Sequence, residues 1–305
     1  MVTAARRAGY RVLGRRLDYL LHTRPAEWPI VAAHMLVGYL LAVGAPHAFR
    51  SDRLTAALLG IALWVVCLNG GTLALNSAFD RDEGDIAYLR SPPPPPQRLA
   101  AFGLGLMLVG LVGASLLPSA YWLTYALCLV LSVLYSAPPF RFKSVPGADW
   151  LINMWGFGTL TPYAGWAATG MPVGVIGKLV FLAFCPLFAA LYPLTQIYQF
   201  EEDTRRGDRT LALFLGIRWS LLVAVGAAIA AFVLFGAAGH QAGWGSHESW
   251  RWVLLGLAAA GWGVVLIPWL IRHRVMTAAE HQLGMYRALF AWALTDVAVV
   301  LAWGT

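Results

Sequence analysis

Long apolar stretches alternate with short polar segments along almost the whole chain. Most stretches reach the ~18 residues that a helix needs to cross the hydrocarbon core of a bilayer. We predict an all-α, polytopic membrane protein with a single transmembrane domain over residues 28–305. Its nine predicted spans cover about residues 28–48, 54–79, 98–117, 119–137, 149–170, 173–199, 211–237, 251–271 and 283–303.

Residues 1–27 follow a different pattern. Tyr10, Leu13 and Leu17 fall at helical spacing, and most of the surrounding arginines fall on other faces. This pattern is typical of a basic amphipathic helix that lies on an anionic membrane surface. A disordered basic tail is the alternative. The segment has no long apolar core, so we do not interpret it as a signal peptide.

Composition and charge agree with membrane embedding. The chain is 59% hydrophobic and 12% charged, with a net charge of +7. We expect the lipid bilayer, and no nucleic acid, to be the partner of this positive charge, because the basic residues fall mainly on one side of the predicted spans. Of the 22 Lys and Arg residues, four fall on the other side: Arg50, Arg53, Lys178 and Arg251. The positive-inside rule then predicts a cytoplasmic N-terminus. We predict a multi-pass protein of the bacterial inner membrane with cytoplasmic active-site loops.

Eight of the fifteen acidic residues lie in two short windows where the second and sixth spans meet the cytoplasm. Carboxylates this close together repel one another unless a cation joins them. The first cluster consists of Asp80, Asp82, Glu83 and Asp85. The second cluster consists of Glu201, Glu202, Asp203 and Asp208. Their concentration on one face therefore indicates a cation-binding site.

Helical spacing extends each cluster into the membrane. Asn76, Asp80 and Glu83 share one helical face, because they are four and then three residues apart. On the sixth span, Gln196, Gln199 and Asp203 are three and then four residues apart, so we expect them to share one face as well. Polar side chains are costly in an apolar helix unless they face a polar cavity. Two stripes of oxygen ligands that face a common space are suited to Mg²⁺.

Cationic side chains that suit a diphosphate occur on the same side. Arg141 and Lys143 end the segment Tyr135-Ser-Ala-Pro-Pro-Phe-Arg-Phe-Lys143, and Arg209 follows the second acidic cluster. Arginine binds phosphate oxygens with two parallel hydrogen bonds, whereas lysine acts as a point charge. Anchoring of the loops to lipid headgroups is the alternative role for the basic residues. Asn153, four residues after Asp149, either contacts a substrate or caps a helix start.

These segments together resemble the UbiA superfamily of intramembrane prenyltransferases, over nearly the whole chain. The family pattern NDxxDxxxD is similar to Asn76-Ser-Ala-Phe-Asp80-Arg-Asp-Glu-Gly-Asp85, in which Ser77 and Gly84 stand at two of the expected aspartates. Either Glu83 or Asp85 is then the displaced ligand. The pattern DxxxD, with a glycine four residues later, is similar to the segment from Gln199 to Gly207, with Gln199 in place of the first aspartate. The Tyr135–Lys143 segment resembles the family's YSxPPxRxK.

The resemblance implies nine helices around a central cavity and Mg²⁺-dependent transfer of a prenyl group from a prenyl diphosphate to a lipophilic acceptor. The acceptor classes are a quinone precursor, a tetrapyrrole or a lipid. The catalytic candidates are Asn76, Asp80, Asp203 and Lys143. The metal-ligand candidates are Asn76, Asp80, Glu83, Asp85 and Asp203. The substrate-binding candidates are Arg141, Tyr135, Gln199, Arg209 and Asn153.

Two other functions compete with this one. A terpene cyclase of the same superfamily would ionise the same diphosphate and capture the cation within its own chain, without an acceptor. A divalent-cation transporter would also use acidic clusters, but it requires acids along a path through the membrane. Asp296 is the acid that falls in the outer half of a predicted span, and we expect it to be structural.

Overall fold

The computed structural model describes residues 4–80, 89, 91–207 and 209–305, and these residues form helices and no β-strand. We number the helices in chain order. The first seven are α1 (Ala4–Leu13), α2 (Arg16–His22), α3 (Trp28–Val43), α4 (Leu54–Ala62), α5 (Gly70–Asp80), α6 (Leu99–Ala114) and α7 (Ser119–Ser136). The others are α8 (Ala148–Asn153), α9 (Thr161–Ala167), α10 (Val175–Ile197), α11 (Phe200–Arg206), α12 (Leu211–Gln241), α13 (Ser249–Arg272) and α14 (Ala278–Trp303). Short 3₁₀ turns cover Pro25–Glu27, Ala45–Arg50, Phe142–Ser144 and Ser246–Glu248.

Apolar helices long enough to cross a bilayer make the chain a multi-pass membrane protein. Seven segments of the described chain meet this length and composition: Arg16–Val43, Leu54–Asp80, Ser119–Ser136, Val175–Ile197, Leu211–Gln241, Ser246–Arg272 and Ala278–Trp303. The α6 helix is apolar but shorter. Large apolar side chains such as Val112, Phe214 and Ile271 are more than 70% exposed, which suits contact with lipid. Nine crossings therefore remain a prediction.

The N-terminal segment consists of two short helices instead of one. Gly14, in the left-handed region with φ of 53°, separates α1 from α2. Tyr10 donates a hydrogen bond of 2.7 Å to Asp18 across this turn, and burial together with this bond raises the pKa of Tyr10. His22 contacts the carbonyl of Pro93 at 3.1 Å, which joins α2 to the proline-rich segment. Attachment of this segment to a membrane surface remains a prediction.

Two of the spanning segments change helix type in their middle. The Leu54–Asp80 segment contains the π-helix Leu63–Asn69 between α4 and α5. The α8 and α9 helices are joined by a second π-helix, Met154–Leu160. A π-helical turn is rare and frequently lies at a functional site. Both turns contribute to the wall of the cavity described below.

Close contact between α3 and α9 depends on small residues. A Cβ atom at Gly38 would overlap the carbonyl oxygen of Pro162, and one at Gly165 would overlap that of Met35. Glycines allow membrane helices to approach closely, where dispersion forces hold them together. One apolar core is formed mainly by α10, α12, α13 and α14, and a second core is formed mainly by α3, α6, α7 and α9 with the Leu63–Asn69 π-helix.

Candidate functional site

A cavity of about 400 Å³ lies between the helices. Most of its wall is apolar or aromatic, which suits a hydrocarbon chain. The apolar and aromatic lining includes Ile30, Val31, Trp64, Leu68, Leu73, Leu131, Ile152, Phe157, Phe188, Leu191, Met285, Leu289 and Trp292. The polar lining includes Arg24, Glu27, Asn69, Thr72, Asn76, Ser132, Tyr135, Asn153, Tyr192, Thr195 and Tyr198.

Asn76 contributes an unsatisfied oxygen to this wall. Its side-chain Oδ1 is buried and has no hydrogen-bond partner. Asn69, seven residues earlier, has a buried amide nitrogen that also lacks a partner. Buried polar atoms are almost always paired, so an atom in a cavity wall without a partner among the described residues can bind water or a ligand from the cavity. The α5 face of the cavity therefore has unused capacity to bind a polar group.

Asp80 ends α5 one helical turn after Asn76, and two cations contact its carboxylate. Lys143 Nζ forms an ion pair with Asp80 Oδ1, and Arg141 Nη2 lies 3.4 Å from the same oxygen. The side chains of Lys143 and Asp80 are both only 9% exposed. Arg141 adopts a left-handed backbone conformation with φ of 42°, from which the 3₁₀ turn Phe142–Ser144 follows. This turn brings the predicted phosphate-binding cations to the first acidic motif.

Tyr135 and Asn153, which we predict to bind substrate, line the cavity. The hydroxyl of Tyr135 lies 2.9 Å from that of Tyr192. The Asn153 amide donates a hydrogen bond of 2.9 Å to the backbone carbonyl of Asp149, one turn earlier in its own helix. Asn153 thus contributes both to the structure of α8 and to the cavity wall.

The second acidic motif has a different local structure. Helix α10 ends at Ile197 and α11 begins at Phe200, so Gln196, Gln199 and Asp203 do not share one continuous helical face. Asp203 is 4% exposed, and Thr210 donates a hydrogen bond of 3.5 Å to its Oδ2. Gln199 donates to the hydroxyl of Tyr198 at 3.1 Å.

Asp80, Lys143, Arg141, Asp203, Gln199 and Arg209 are not among the residues that line the cavity. Arg209 is exposed. Glu83 and Asp85, the two alternatives for the displaced ligand, lie outside the described residues. Within the described part of the chain, no three His, Cys, Asp or Glu side chains form a group that could hold a metal ion. The roles of these residues remain predictions.

The prediction that Gln196 faces a polar cavity is wrong. Its amide nitrogen donates to Asp149 Oδ2 at 2.9 Å, and its carbonyl oxygen accepts a hydrogen bond from the backbone of Ala212 at 3.1 Å. Asp149 also accepts from the backbone nitrogens of Gly147 and Leu211. The two side chains therefore satisfy donors at the start of α12, where backbone N–H groups have no partner within the helix.

Two charged residues in the cavity wall were missed from the sequence. Arg24 and Glu27 form an ion pair with Nη1 and Oε1 separated by 3.5 Å. Both fall at the end of the basic segment 1–27, and the sequence signal for them is an acid in an Arg-Pro-Ala-Glu turn directly before an apolar helix. Asn69, a third lining residue, was also missed. Its spacing of seven residues from Asn76 places the two on the same helical face and could have identified it.

Asp296, for which we predict a structural role, contacts the buried side chain of His34. It lies 3.0 Å from Nδ1 of His34, whose Nε2 lies 3.3 Å from the carbonyl of Gly158. The rings of Phe157, Phe184 and Trp292 surround the imidazole. The pair thus joins α3 to α14 and to the π-helix Met154–Leu160.

Comparison with known proteins identifies the family to which this architecture belongs. A model of the UbiA prenyltransferase family matches residues 31–294. The chain belongs to the UbiA prenyltransferase family. It is a membrane-embedded prenyltransferase, and the resemblance deduced from its motifs is confirmed.

Individual relatives agree with this family. The chain is 30% identical to a lycopene elongase/hydratase of Haloferax volcanii over 265 residues, which cover 84% of each chain. It is also 30% identical to a digeranylgeranylglyceryl phosphate synthase of Natronomonas pharaonis over 247 residues, which cover 77% of this chain and 83% of the relative.

A solved structure of a UbiA homologue from Archaeoglobus fulgidus bound to DMAPP and Mg²⁺ has the same fold. The TM-score is 0.67 at 20% sequence identity, and the alignment covers 93% of this chain and 99% of the homologue. All three organisms are archaea, so these relatives lend no support to a bacterial membrane. The type of membrane and the orientation within it remain predictions.

Proposed function

We propose that this chain transfers a prenyl group from a prenyl diphosphate to a lipophilic acceptor, through an allylic carbocation and with Mg²⁺ as cofactor. The observation that carries the proposal is the position of Asp80. It contacts Lys143 and Arg141 and lies one turn from Asn76 in the wall of a largely apolar cavity. Groups that bind charged phosphate thus adjoin a space that suits a hydrocarbon tail.

The donor set fits Mg²⁺. This ion prefers oxygen ligands and commonly binds one or two carboxylates together with substrate phosphates. The unpaired Oδ1 of Asn76 and the carboxylates of Asp80 and Asp203 would hold it. When bound, Mg²⁺ neutralises charge on the diphosphate and makes it a better leaving group.

The protein's own cations would assist departure of the diphosphate. Lys143 and Arg141 are held beside Asp80 and can exchange its carboxylate for phosphate oxygens, which carry more charge. Their fixed positions stabilise negative charge as it develops on the leaving group, at no cost of reorganisation. The allylic C–O bond then breaks with both electrons on the diphosphate, and the acceptor attacks the resulting cation.

The names of the two relatives support a long-chain lipid as the acceptor class, since one is named for lycopene and the other for a glyceryl phosphate lipid. Quinone precursors and tetrapyrroles are the other candidates. A terpene cyclase, which would use no acceptor, is the alternative function.

A product assay tests the proposal. Purified protein in lipid nanodiscs would be incubated with dimethylallyl or geranyl diphosphate and Mg²⁺, with and without lipid extract. We expect an acceptor that has gained the mass of one prenyl unit, formed only when diphosphate and extract are both present, and no product with EDTA. A cyclised hydrocarbon without extract would refute the transferase in favour of the cyclase. Full activity in EDTA would refute the requirement for Mg²⁺.

A further inference from the structure

Glu27 contributes a carboxyl group to the cavity wall. It ends the 3₁₀ turn Pro25–Glu27, immediately before α3. Its side chain is 19% exposed. Among the described residues that line the cavity, Glu27 is the one with a carboxyl group. Asp80 and Asp203, to which we assign metal binding, are not among these lining residues.

The surroundings of Glu27 leave its oxygen available. Its Oε1 is buried, and among the described residues its polar neighbour is the Arg24 guanidinium, whose Nη1 forms an ion pair with it at 3.5 Å. Arg24 has a left-handed backbone with φ of 49° and ψ of 65°, a conformation that residues other than glycine rarely adopt. Strained backbone of this kind is concentrated at functional sites. An unsatisfied buried acceptor is also costly, which favours a use for it in the reaction.

Prenyl transfer releases a proton from the acceptor, and a base beside the acceptor would receive it directly. The prenyl group replaces one hydrogen of the acceptor: a bond forms to carbon C1 of the prenyl group, the C1–O bond breaks, and diphosphate leaves with the electron pair. The acceptor is then left with one excess proton, on carbon or on oxygen. A carboxylate held within hydrogen-bond reach is a common general base for such a proton.

The other candidate bases are already engaged or lie elsewhere. Asp149 accepts hydrogen bonds from three donors and does not line the cavity. His34 lies against Asp296 and is likewise outside the lining. Tyr135 and Tyr192 line the cavity, but their hydroxyls are 2.9 Å apart and contact each other.

We propose that Glu27 is the catalytic base that receives the proton of the acceptor when the prenyl group is attached. This inference rests on the proposed function. The Glu27 carboxylate takes the proton, the electrons of the broken C–H or O–H bond remain with the product, and the protonated carboxyl group later loses its proton to water. Arg24, whose Nη1 lies 3.5 Å from Oε1, positions the carboxylate.

Substitution of Glu27 tests the proposal. Glu27→Gln keeps the shape but cannot accept the proton, whereas Glu27→Asp keeps the carboxylate. The control is Glu248→Gln, which removes a carboxylate from the Ser246–Glu248 turn outside the cavity lining. For each variant, one measures kcat for product, the pH profile of kcat, and the dissociation constant of a prenyl phosphonophosphate that cannot ionise.

We expect kcat of Glu27→Gln to fall by about 100-fold or more, as is typical when a general base is removed. Affinity for the phosphonophosphate should stay within about threefold of the wild-type value, which excludes misfolding. The rise of kcat with pH should be lost in Glu27→Gln and kept in Glu27→Asp and Glu248→Gln. The proposal is overturned if Glu27→Gln keeps this rise, or if its loss of kcat is matched by lost affinity.

The same experiment separates this inference from the proposed function. A wild-type protein that releases no diphosphate from any prenyl substrate would refute both. An active wild-type protein together with an equally active Glu27→Gln variant would refute the role of Glu27 as base and leave the proposed function standing.

Discussion

The two acidic motifs of this prenyltransferase look alike in sequence but differ in structure. In the first motif, Asn76 and Asp80 belong to one helix that is continuous from Gly70 to Asp80. In the second motif, the chain leaves α10 at Ile197 and begins α11 at Phe200. Spacing rules for side chains on a helix therefore hold between Asn76 and Asp80 and fail between Gln196 and Asp203.

Because of this break, the polar residues of the second motif make contacts of different kinds. Gln196 is turned toward the start of α12, where it and Asp149 bind backbone N–H groups. Asp203, beyond the break, is held by the backbone carbonyl of Gln199 and by Thr210. The first motif thus keeps its predicted ligands on one helical face, whereas the second combines a predicted ligand with a structural joint between three helices.

The largest expected effect comes from removing the carboxylates that both motifs contribute. Asp80→Asn and Asp203→Asn keep the size of each side chain but remove its negative charge. We expect each to lower Mg²⁺-dependent diphosphate release by about 1,000-fold, because stabilisation of the leaving group depends on the metal. Release of diphosphate at saturating substrate, measured over a range of Mg²⁺ concentrations, checks this result.

Asp52→Asn is the matched control, since the side chain of Asp52 is 85% exposed and lies next to Arg53. It should behave as wild type. If Asp203→Asn were as active as Asp52→Asn while Asp80→Asn was inactive, Asp80 would be a metal ligand and Asp203 would not.

The second largest effect should come from Lys143, which connects the first motif to the loop before α8. We expect Lys143→Gln to lower kcat for diphosphate release by about 100-fold, since it removes a buried cation from the leaving group. Lys178 is the other lysine of the chain and is exposed, so Lys178→Gln provides a control with the same chemical change. Equal activity of the two variants would show that Lys143 only neutralises Asp80.

The sequence predicted the features that depend on continuous local patterns. Apolar length identified the membrane protein, and helical spacing correctly placed Asn76 in the cavity wall. The order of spans and loops in the sequence also placed Arg141 and Lys143 on the same side of the membrane as Asp80. In the structure both cations pair with Asp80. These features require only chain spacing and the chemistry of residue types.

The remaining features depend on contacts between distant parts of the chain. Nothing in the spacing around Gln196 indicates that Asp149, 47 residues earlier, accepts its amide. The turn that inserts Glu27 into the cavity depends on the left-handed backbone of Arg24, a residue type with no preference for that conformation. A helix break without an internal glycine or proline, as at Tyr198 and Gln199, also leaves little trace in sequence.

The smallest and most discriminating effects should come from the two glutamines of the second motif. Gln196→Leu leaves the backbone N–H of Ala212 and one lone pair of Asp149 without partners, so we expect it to lower the free energy of unfolding by about 1–3 kcal/mol. Gln199→Leu removes only the half-buried hydrogen bond to Tyr198, and we expect a loss below about 1 kcal/mol. Thermal unfolding in one detergent measures both.

The same pair then tests the role of Gln199 in substrate binding. Because Tyr198 lines the cavity and Gln199 does not, we expect Gln199→Leu to raise KM for the prenyl diphosphate only about threefold, through Tyr198. A direct contact between Gln199 and the diphosphate would instead raise KM more than about tenfold, as loss of a hydrogen bond to a charged group does. That outcome would mean that the α11 end of the second motif turns toward the substrate, and that the two motifs are more alike in the bound state than their helices suggest.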